Sequence, residues 1–311
     1  MKTLQLVTTP RSFFEEQVDA LTRRGVECTT LPVHPPVEGD GSRTVADYLR
    51  YPPAVLSRAM EGYDLVHANH GLVAPFAFAQ PVRPVVVTFW GSELLDGRTR
   101  ARRLVQRTSK LSAGAADAVI LPSEAMRDDV DVKHAVIPFG VDTDRFRPIP
   151  REVARERVGW EPDARKVLFP YDPARDEKDY PRAVEVVSRL DVDAELAVVS
   201  DAPYEMMPYY LNASDALLLT SGLESGPMVV KEAVACNVPV VSTDVGFVRD
   251  AVAGVSNSTV CDTTECLVDA LDRALRSGER ANGRETAECT DPDETARSIH
   301  RVYEEVLSGR W

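Results

Sequence analysis

A chain of 311 residues, 44% hydrophobic and 27% charged, has the apolar content and length for two soluble domains of about 150 residues each. No run approaches the ~18 consecutive apolar residues of a membrane-spanning helix, and the opening MKTLQLVTTP lacks the apolar core and small-residue cleavage site of a secretory signal. The net charge of −13 lies almost wholly in the second half: residues 1–145 hold 18 acids and 17 bases, residues 146–311 hold 31 and 19. A surface this acidic disfavours nonspecific nucleic-acid binding, so no nucleic-acid partner is expected. Arginine outnumbers lysine 30 to 6, a balance that fits a halophile-like acidic surface and equally the drift of a GC-rich genome. The five cysteines are odd in number and form no C-x-x-C, which argues against a disulfide framework or zinc knuckle and fits a reducing cytoplasm.

Short apolar runs alternate with helix-period segments throughout. In the first half they predict strands at 4–8, 26–31, 64–68, 84–89, 118–121 and 135–138, with helices at 12–23, 45–61, 98–113 and 123–129. In the second half they predict strands at 166–170, 195–199, 216–220, 239–242 and 259–261. Helices are expected at 181–190, 206–213, 227–236, 247–253 and 264–276, and a last one near 292–307. Buried strands alternating with helices make parallel sheets, and two such sets make an α/β chain of two doubly wound domains. The Pro-, Gly- and Asp-rich stretch 138–150 reads as the connection, giving domains at 1–145 and 146–290 with a final helix at 291–311 expected to pack back on the first. Ligands of such sheets bind beyond the carboxyl ends of the strands, so two facing domains would hold theirs in a cleft.

Candidate residues sit at those ends. His67 and His70 straddle the end of the third predicted strand, where an imidazole can meet a sugar hydroxyl or a phosphate, although a single histidine is more often structural. Trp90, Gly91, Ser92 and Glu93 follow the next strand and either line an acceptor or form a turn with a packed Trp. Arg98, Arg100, Arg102, Arg103, Arg107 and Lys110 have no acid among them. With Leu104, Val105 and Leu111 they make either a basic amphipathic helix for an anionic membrane or a solvated face. In YDPARDEKDYP, Arg175 and Lys178 precede a helix near Pro181, as phosphate-facing cations or as an exposed charged loop.

Glu224 and Glu232 bracket ESGPMVVKE at a strand-to-helix junction. Gly226 would let a ligand approach the backbone, and Pro227 suits the first helical position. Carboxylates accept hydrogen bonds from sugar hydroxyls, and a helix start offers N–H groups to phosphate; spacing alone also allows two ordinary surface acids. Four Asp-x-Asp triplets occur away from other ligand candidates, so no metal site is expected, and there is no P-loop, G-x-S-x-G or G-x-G-x-x-G.

Three stretches carry a resemblance: IPFGVDTDRFRP at 137–148, MMPYYLNASDALLLT at 206–220, and Glu224–Glu232 followed by AVACNVPVVSTDVG. Together they resemble the GT4-type retaining glycosyltransferases, whose GT-B fold has two Rossmann-like domains. The resemblance implies transfer from a nucleotide-sugar donor to a glycan or lipid-linked acceptor, without metal or other cofactor; cysteine usage puts this in the cytoplasm, and the basic run 98–110 at the inner face of the cell membrane. It implies that Glu224 meets the donor sugar hydroxyls, Glu232 the ribose, Lys178 the diphosphate, and Ser225, Gly226, Pro227 and Met228 contribute backbone contacts. His70 would reach the donor sugar. Strand-end position makes Trp90 and Ser92 the acceptor-side candidates, and the basic run makes Arg98, Arg102, Arg103 and Arg107 the membrane contacts.

The chain departs from the family pattern in several places. Phe139 replaces an Asn, Trp90 a His, and TTPRSFF a Gly-Gly loop. Pro173 stands where the phosphate-binding Arg is usual, leaving Arg175 as its substitute. These departures keep two alternatives open: a homologue that binds a nucleotide sugar without transfer, and another sugar–nucleotide enzyme such as an epimerase or phosphorylase.

Overall fold

The computed structural model describes residues 1–33, 45–91, 93–94, 100–224, 226–285 and 291–311. The chain divides into two compact units, one of Met1–Gly140 with Pro292–Trp311, the other of Val141–Asp291.

Unit 1 holds strands β1 (Lys2–Val7), β2 (Glu27–Pro32), β3 (Leu65–Asn69), β4 (Val85–Thr88), β5 (Ala118–Leu121) and β6 (His134–Val136), in the all-parallel order β2-β1-β3-β4-β5-β6. Its helices are α1 (Ser12–Arg23), α2 (Val45–Ala59), α3 (Ala74–Ala77), α4 (Arg100–Ala115) and the C-terminal α11, Pro292–Leu307. Strand residues alternate between two helix layers, as a two-residue period demands. Val66, Val85, Val87 and Val119 pack with Tyr51 and Val55 of α2, Ala74 of α3 and Ala113 of α4. Leu65, Val86, Ala118 and Ile120 pack with Leu21 of α1 and Ile299 and Val302 of α11. Each of these larger side chains contributes about 1.5–3 kcal/mol on burial.

A polar seam crosses the α1–α11 layer. His67 joins Tyr303 (2.6 Å) and Thr88 (2.7 Å), Gln5 donates to Tyr303 (3.1 Å), and Asn69 donates to Gln5 (2.9 Å) and accepts from Gln17 (3.2 Å). Buried polar groups cost stability unless paired, so this set specifies how α11 seats on the sheet.

Unit 2 holds β7 (Lys166–Phe169), β8 (Glu195–Val198), β9 (Ala216–Leu219), β10 (Val240–Thr243) and β11 (Thr259–Cys261), parallel in the order β11-β10-β9-β7-β8. Its helices are α5 (Arg151–Val158), α6 (Tyr180–Ser188), α7 (Met207–Ala213), α8 (Met228–Ala235), α9 (Val248–Ala251) and α10 (Thr264–Ser277). Asp179 caps α6 by accepting from Arg182 N, and Thr263 caps α10 by accepting from Cys266 N.

Three local expectations change. Residues 124–129 form a 3-10 turn rather than the helix predicted at 123–129, because six residues gain too few i→i−4 bonds to repay nucleation. Helix α5 shows no apolar period, since five of the eight residues in REVARERV are charged; buried Arg155 anchors it through Asp215 (2.9 Å) and the Ala213 carbonyl (3.0 Å). Cys261 and Cys266 are disulfide-bonded, against the expectation from cysteine count, since the end of β11 and the first turn of α10 bring their Cα atoms to 5.5 Å.

Candidate functional site

In unit 2 the segments that follow β7 and β9 are tied together. Thr220 Oγ1 donates to the carbonyls of Lys178 and Asp179 (both 2.9 Å), and Gly222 N donates to Glu177 O (3.0 Å). The ties bring Lys178 to Glu224, 46 residues apart, as an ion pair between Nζ and Oε1. Ser221 Oγ donates to the same carboxylate oxygen at 3.1 Å. Lys178 is 3% exposed and the Glu224 side chain 13%. Burial pulls the lysine pKa below its ordinary value, against the opposing pull of Glu224. Lys178 Nζ also stands 3.7 Å from the centre of the Tyr171 ring.

Arg175 does not join this pair. It is exposed, and its Nε and Nη2 both donate to Glu177 Oε1, at 2.9 and 2.6 Å. Glu232 occupies a separate place on α8. It is buried and accepts from Tyr204 Oη at 3.1 Å, and the Tyr204 ring packs on Phe146 (5.6 Å) and under the Arg145 guanidinium (5.2 Å).

The start of α8 corrects one expectation. A Cβ on Gly226 would come within 2.2 Å of the Phe247 ring, so packing alone requires a glycine there. Pro227 is the N-cap, with extended backbone, and Met228 takes the first helical position. Lys231, which the sequence did not single out, is buried with Nζ 4.8 Å from the Phe247 ring, and burial lowers its pKa to about 8. Ser225 lies outside the described residues.

In unit 1, His70 follows β3 directly, with φ 118°. Its Nδ1 accepts from Leu72 N (3.1 Å), which puts the proton on Nε2, facing Glu93 Oε2 at 3.5 Å. The Glu93 carboxylate is buried and accepts from the backbone N–H groups of Gly71 (2.8 Å) and Trp90 (2.9 Å). Gly71 is obligatory there: a Cβ would meet Ser109 Oγ at 2.4 Å and Glu93 Cγ at 2.7 Å. His67, by contrast, is a structural member of the polar seam. Buried between Tyr303 and Thr88, it has no access to a ligand.

Trp90 is buried in an aromatic cluster, with Phe13 at 4.8 Å, Phe14 at 6.5 Å and His70 at 5.4 Å, while Phe139 meets Phe13 at 4.7 Å. Trp90 is thus packed within unit 1. Ser92 and Arg98 lie outside the described residues. Helix α4 turns Ser109, Ser112 and Ala113 inward and exposes Arg100, Arg102, Arg103, Arg107 and Lys110 together with Leu104 (63%) and Leu111 (74%).

Two family models match the chain: Glycosyltransferase Family 4 over residues 6–145 and Glycosyl transferases group 1 over residues 174–288. The lipopolysaccharide core biosynthesis mannosyltransferase LpsB of Rhizobium meliloti (strain 1021) is 27% identical, over 64% of this chain and 68% of its own. D-inositol 3-phosphate glycosyltransferase 1 of Catenulispora acidiphila is 24% identical, over 98% of this chain and 90% of its own. Among solved structures, sucrose-phosphate synthase from Thermosynechococcus elongatus superposes with a TM-score of 0.77 at 17% identity, over 99% of this chain and 100% of that one. Anabaena HepE in complex with UDP-glucose superposes with a TM-score of 0.74 at 17% identity, over 99% and 100%. With a family model on each half and GT-B enzymes matching along its whole length, the chain belongs to the GT4-type glycosyltransferases of the GT-B fold.

Proposed function

We propose that the protein moves a sugar from a nucleoside-diphosphate sugar to a glycan or lipid-linked acceptor with retention of configuration. The observation that carries this reading is the buried Lys178–Glu224 pair beside the start of α8. Breaking the sugar–phosphate bond develops positive charge on the sugar and negative charge on the diphosphate. Lys178 and the N–H groups of the helix start would stabilise the leaving diphosphate. Glu224 would hold the sugar hydroxyls and Glu232 the ribose hydroxyls. The leaving phosphate can take the acceptor's proton on the face it departs from, which gives retention without a separate strong base. Since Lys178 supplies the positive charge, this route calls for no metal.

The pairing of Arg175 with Glu177 favours a second reading, a homologue that binds a nucleotide sugar without transferring it. One experiment separates the two. Thermal shift against a panel of nucleotide sugars identifies a donor, because a ligand that binds only the folded chain raises its stability. Donor hydrolysis is then assayed for wild type, Glu224→Ala and Lys178→Ala. Turnover lost in both variants supports transfer, whereas binding without turnover in wild type leaves the binder. A wild type that neither binds nor turns over any nucleotide sugar sinks both.

A further inference from the structure

Tyr171 has no part in the roles above, yet it stands where they meet. Two residues past β7, its ring sits edge-on to Phe169 (5.6 Å, 81°) and carries the Lys178 ammonium on its face at 3.7 Å. The other cation–ring contacts among the described residues span 4.7–5.9 Å. The Tyr171 hydroxyl is buried and has no hydrogen-bond partner among the described residues. Burial, and after it the charges of Glu224 and Glu232, hold its ionisation well above the ordinary tyrosine range. Its O–H is therefore held beside the Glu224 carboxylate, which acts on it as an acceptor although no hydrogen bond of good geometry is made, and such half-satisfied buried groups are rare and destabilising unless something answers them.

The Lys178–Glu224 pair supplies what answers it. A diphosphate carries more charge than one carboxylate and would draw the ammonium off Glu224. The carboxylate would then be left without its cation in a largely buried place, an unfavourable state unless another donor takes over. The adjacent donor is the Tyr171 hydroxyl.

We propose that Tyr171 is a positioning residue of the donor site: its ring carries Lys178 with or without donor, and its hydroxyl takes over Glu224 when a diphosphate draws the lysine away. This rests on the reading of the unit 2 site as a nucleoside-diphosphate-sugar site. The ring then governs diphosphate affinity, and the hydroxyl governs turnover through the aim of Glu224 at the sugar.

The test uses the full chain, with UDP and GDP as binding probes by titration calorimetry and UDP-glucose and GDP-mannose as hydrolysis substrates. Tyr171→Phe is expected to keep nucleoside-diphosphate affinity within about twofold of wild type and to lower kcat roughly tenfold, the scale of a lost hydrogen bond to a charged group. Tyr171→Leu is expected to weaken the nucleoside diphosphate about tenfold, with the phenylalanine variant restoring that loss. A Tyr171→Phe enzyme with unchanged kcat overturns the proposal by itself, even if the leucine variant does not fold. Unchanged diphosphate affinity in a folded Tyr171→Leu protein overturns it equally. Failure of the underlying reading looks different: wild type itself would bind neither diphosphate and hydrolyse neither sugar, and the proposal would fall with it.

Discussion

Lys178 and Glu224 satisfy each other in unit 2, the ammonium of one on the carboxylate of the other, with Ser221 donating to the same oxygen. A lysine this buried is tolerated because its charge is matched, and the match comes from a residue that reaches it only after β7 and β9 lie side by side. The pair holds two loops in register and, under the proposed function, would present the two charge signs that a sugar diphosphate needs.

Removing either partner is expected to act on both. Lys178→Ala leaves the Glu224 carboxylate without its cation, and the stability lost should fall at the lower end of ~3–5 kcal/mol because Glu224 keeps some access to water. Donor hydrolysis should drop by roughly 10²–10³-fold, the scale for losing one group that stabilises developing charge. Urea melts and single-turnover hydrolysis measure the two effects. A double variant no worse in stability than either single one would show that the pair acts as a unit.

The start of α8 is set by one glycine. Gly226→Ala places a methyl against the Phe247 ring, which already receives Lys231 on its face. Overpacking of this kind costs about 1–3 kcal/mol, and the displaced helix start should weaken nucleoside-diphosphate binding in parallel. The pair Gly226→Ala with Phe247→Leu should recover part of both losses in thermal melts and titrations. No recovery would detach the glycine from the ring.

His67 makes stability fall in acid. Burial lowers its pKa to about 3, below the ordinary value of 6.5. Between those values the unfolded chain takes up a proton that the folded one refuses. The contribution is therefore complete above pH ~6.5 and is lost as pH falls towards 3, at up to about 1.4 kcal/mol per pH unit. Denaturant melts across this range should show a shallower slope in His67→Gln, with lower stability at pH 7 because Tyr303 and Thr88 lose a partner. Equal slopes would exclude His67 as the source.

Helix α4 exposes basic residues and two leucines on unit 1, the pattern of a surface that meets anionic lipid. The wild-type protein is expected to float with phosphatidylglycerol-containing vesicles and to be released as salt rises. Reversal of Arg102, Arg103 and Arg107 to Glu should abolish flotation while leaving the thermal stability of the protein and any nucleotide binding by it unchanged. Equal flotation of both proteins, or none of either, removes the membrane role from this helix.

Much of the architecture was legible from periodicity, because parallel strands buried on both faces read as apolar runs and the helices between them keep a 3.6-residue period. Helix α5 was not, since it is held by Arg155 and Asp215 rather than by an apolar stripe. Glu224, Glu232 and Lys178 stood out through the resemblance of their surroundings. Tyr171, Tyr204 and Phe247 were not, because one aromatic in a loop carries no periodic signal and acquires meaning only from what packs on it.

The sequence by itself determined two α/β halves, the acidic second one, and the residues whose chemistry suits a nucleotide sugar. Its departures from the family pattern at TTPRSFF, Trp90 and Phe139 stood as three unrelated changes at distant positions. Tertiary structure made them one: Phe13 packs on both Trp90 and Phe139, and Trp90 packs on His70. It likewise paired Lys178 with Glu224 and turned Arg175 to Glu177. Apart from the local Arg175–Glu177 contact, the physical reason is common to these. Composition and period report what each segment must bury, while partners 20 or more residues apart are chosen by strand order and by the geometry of close packing, which no local pattern encodes.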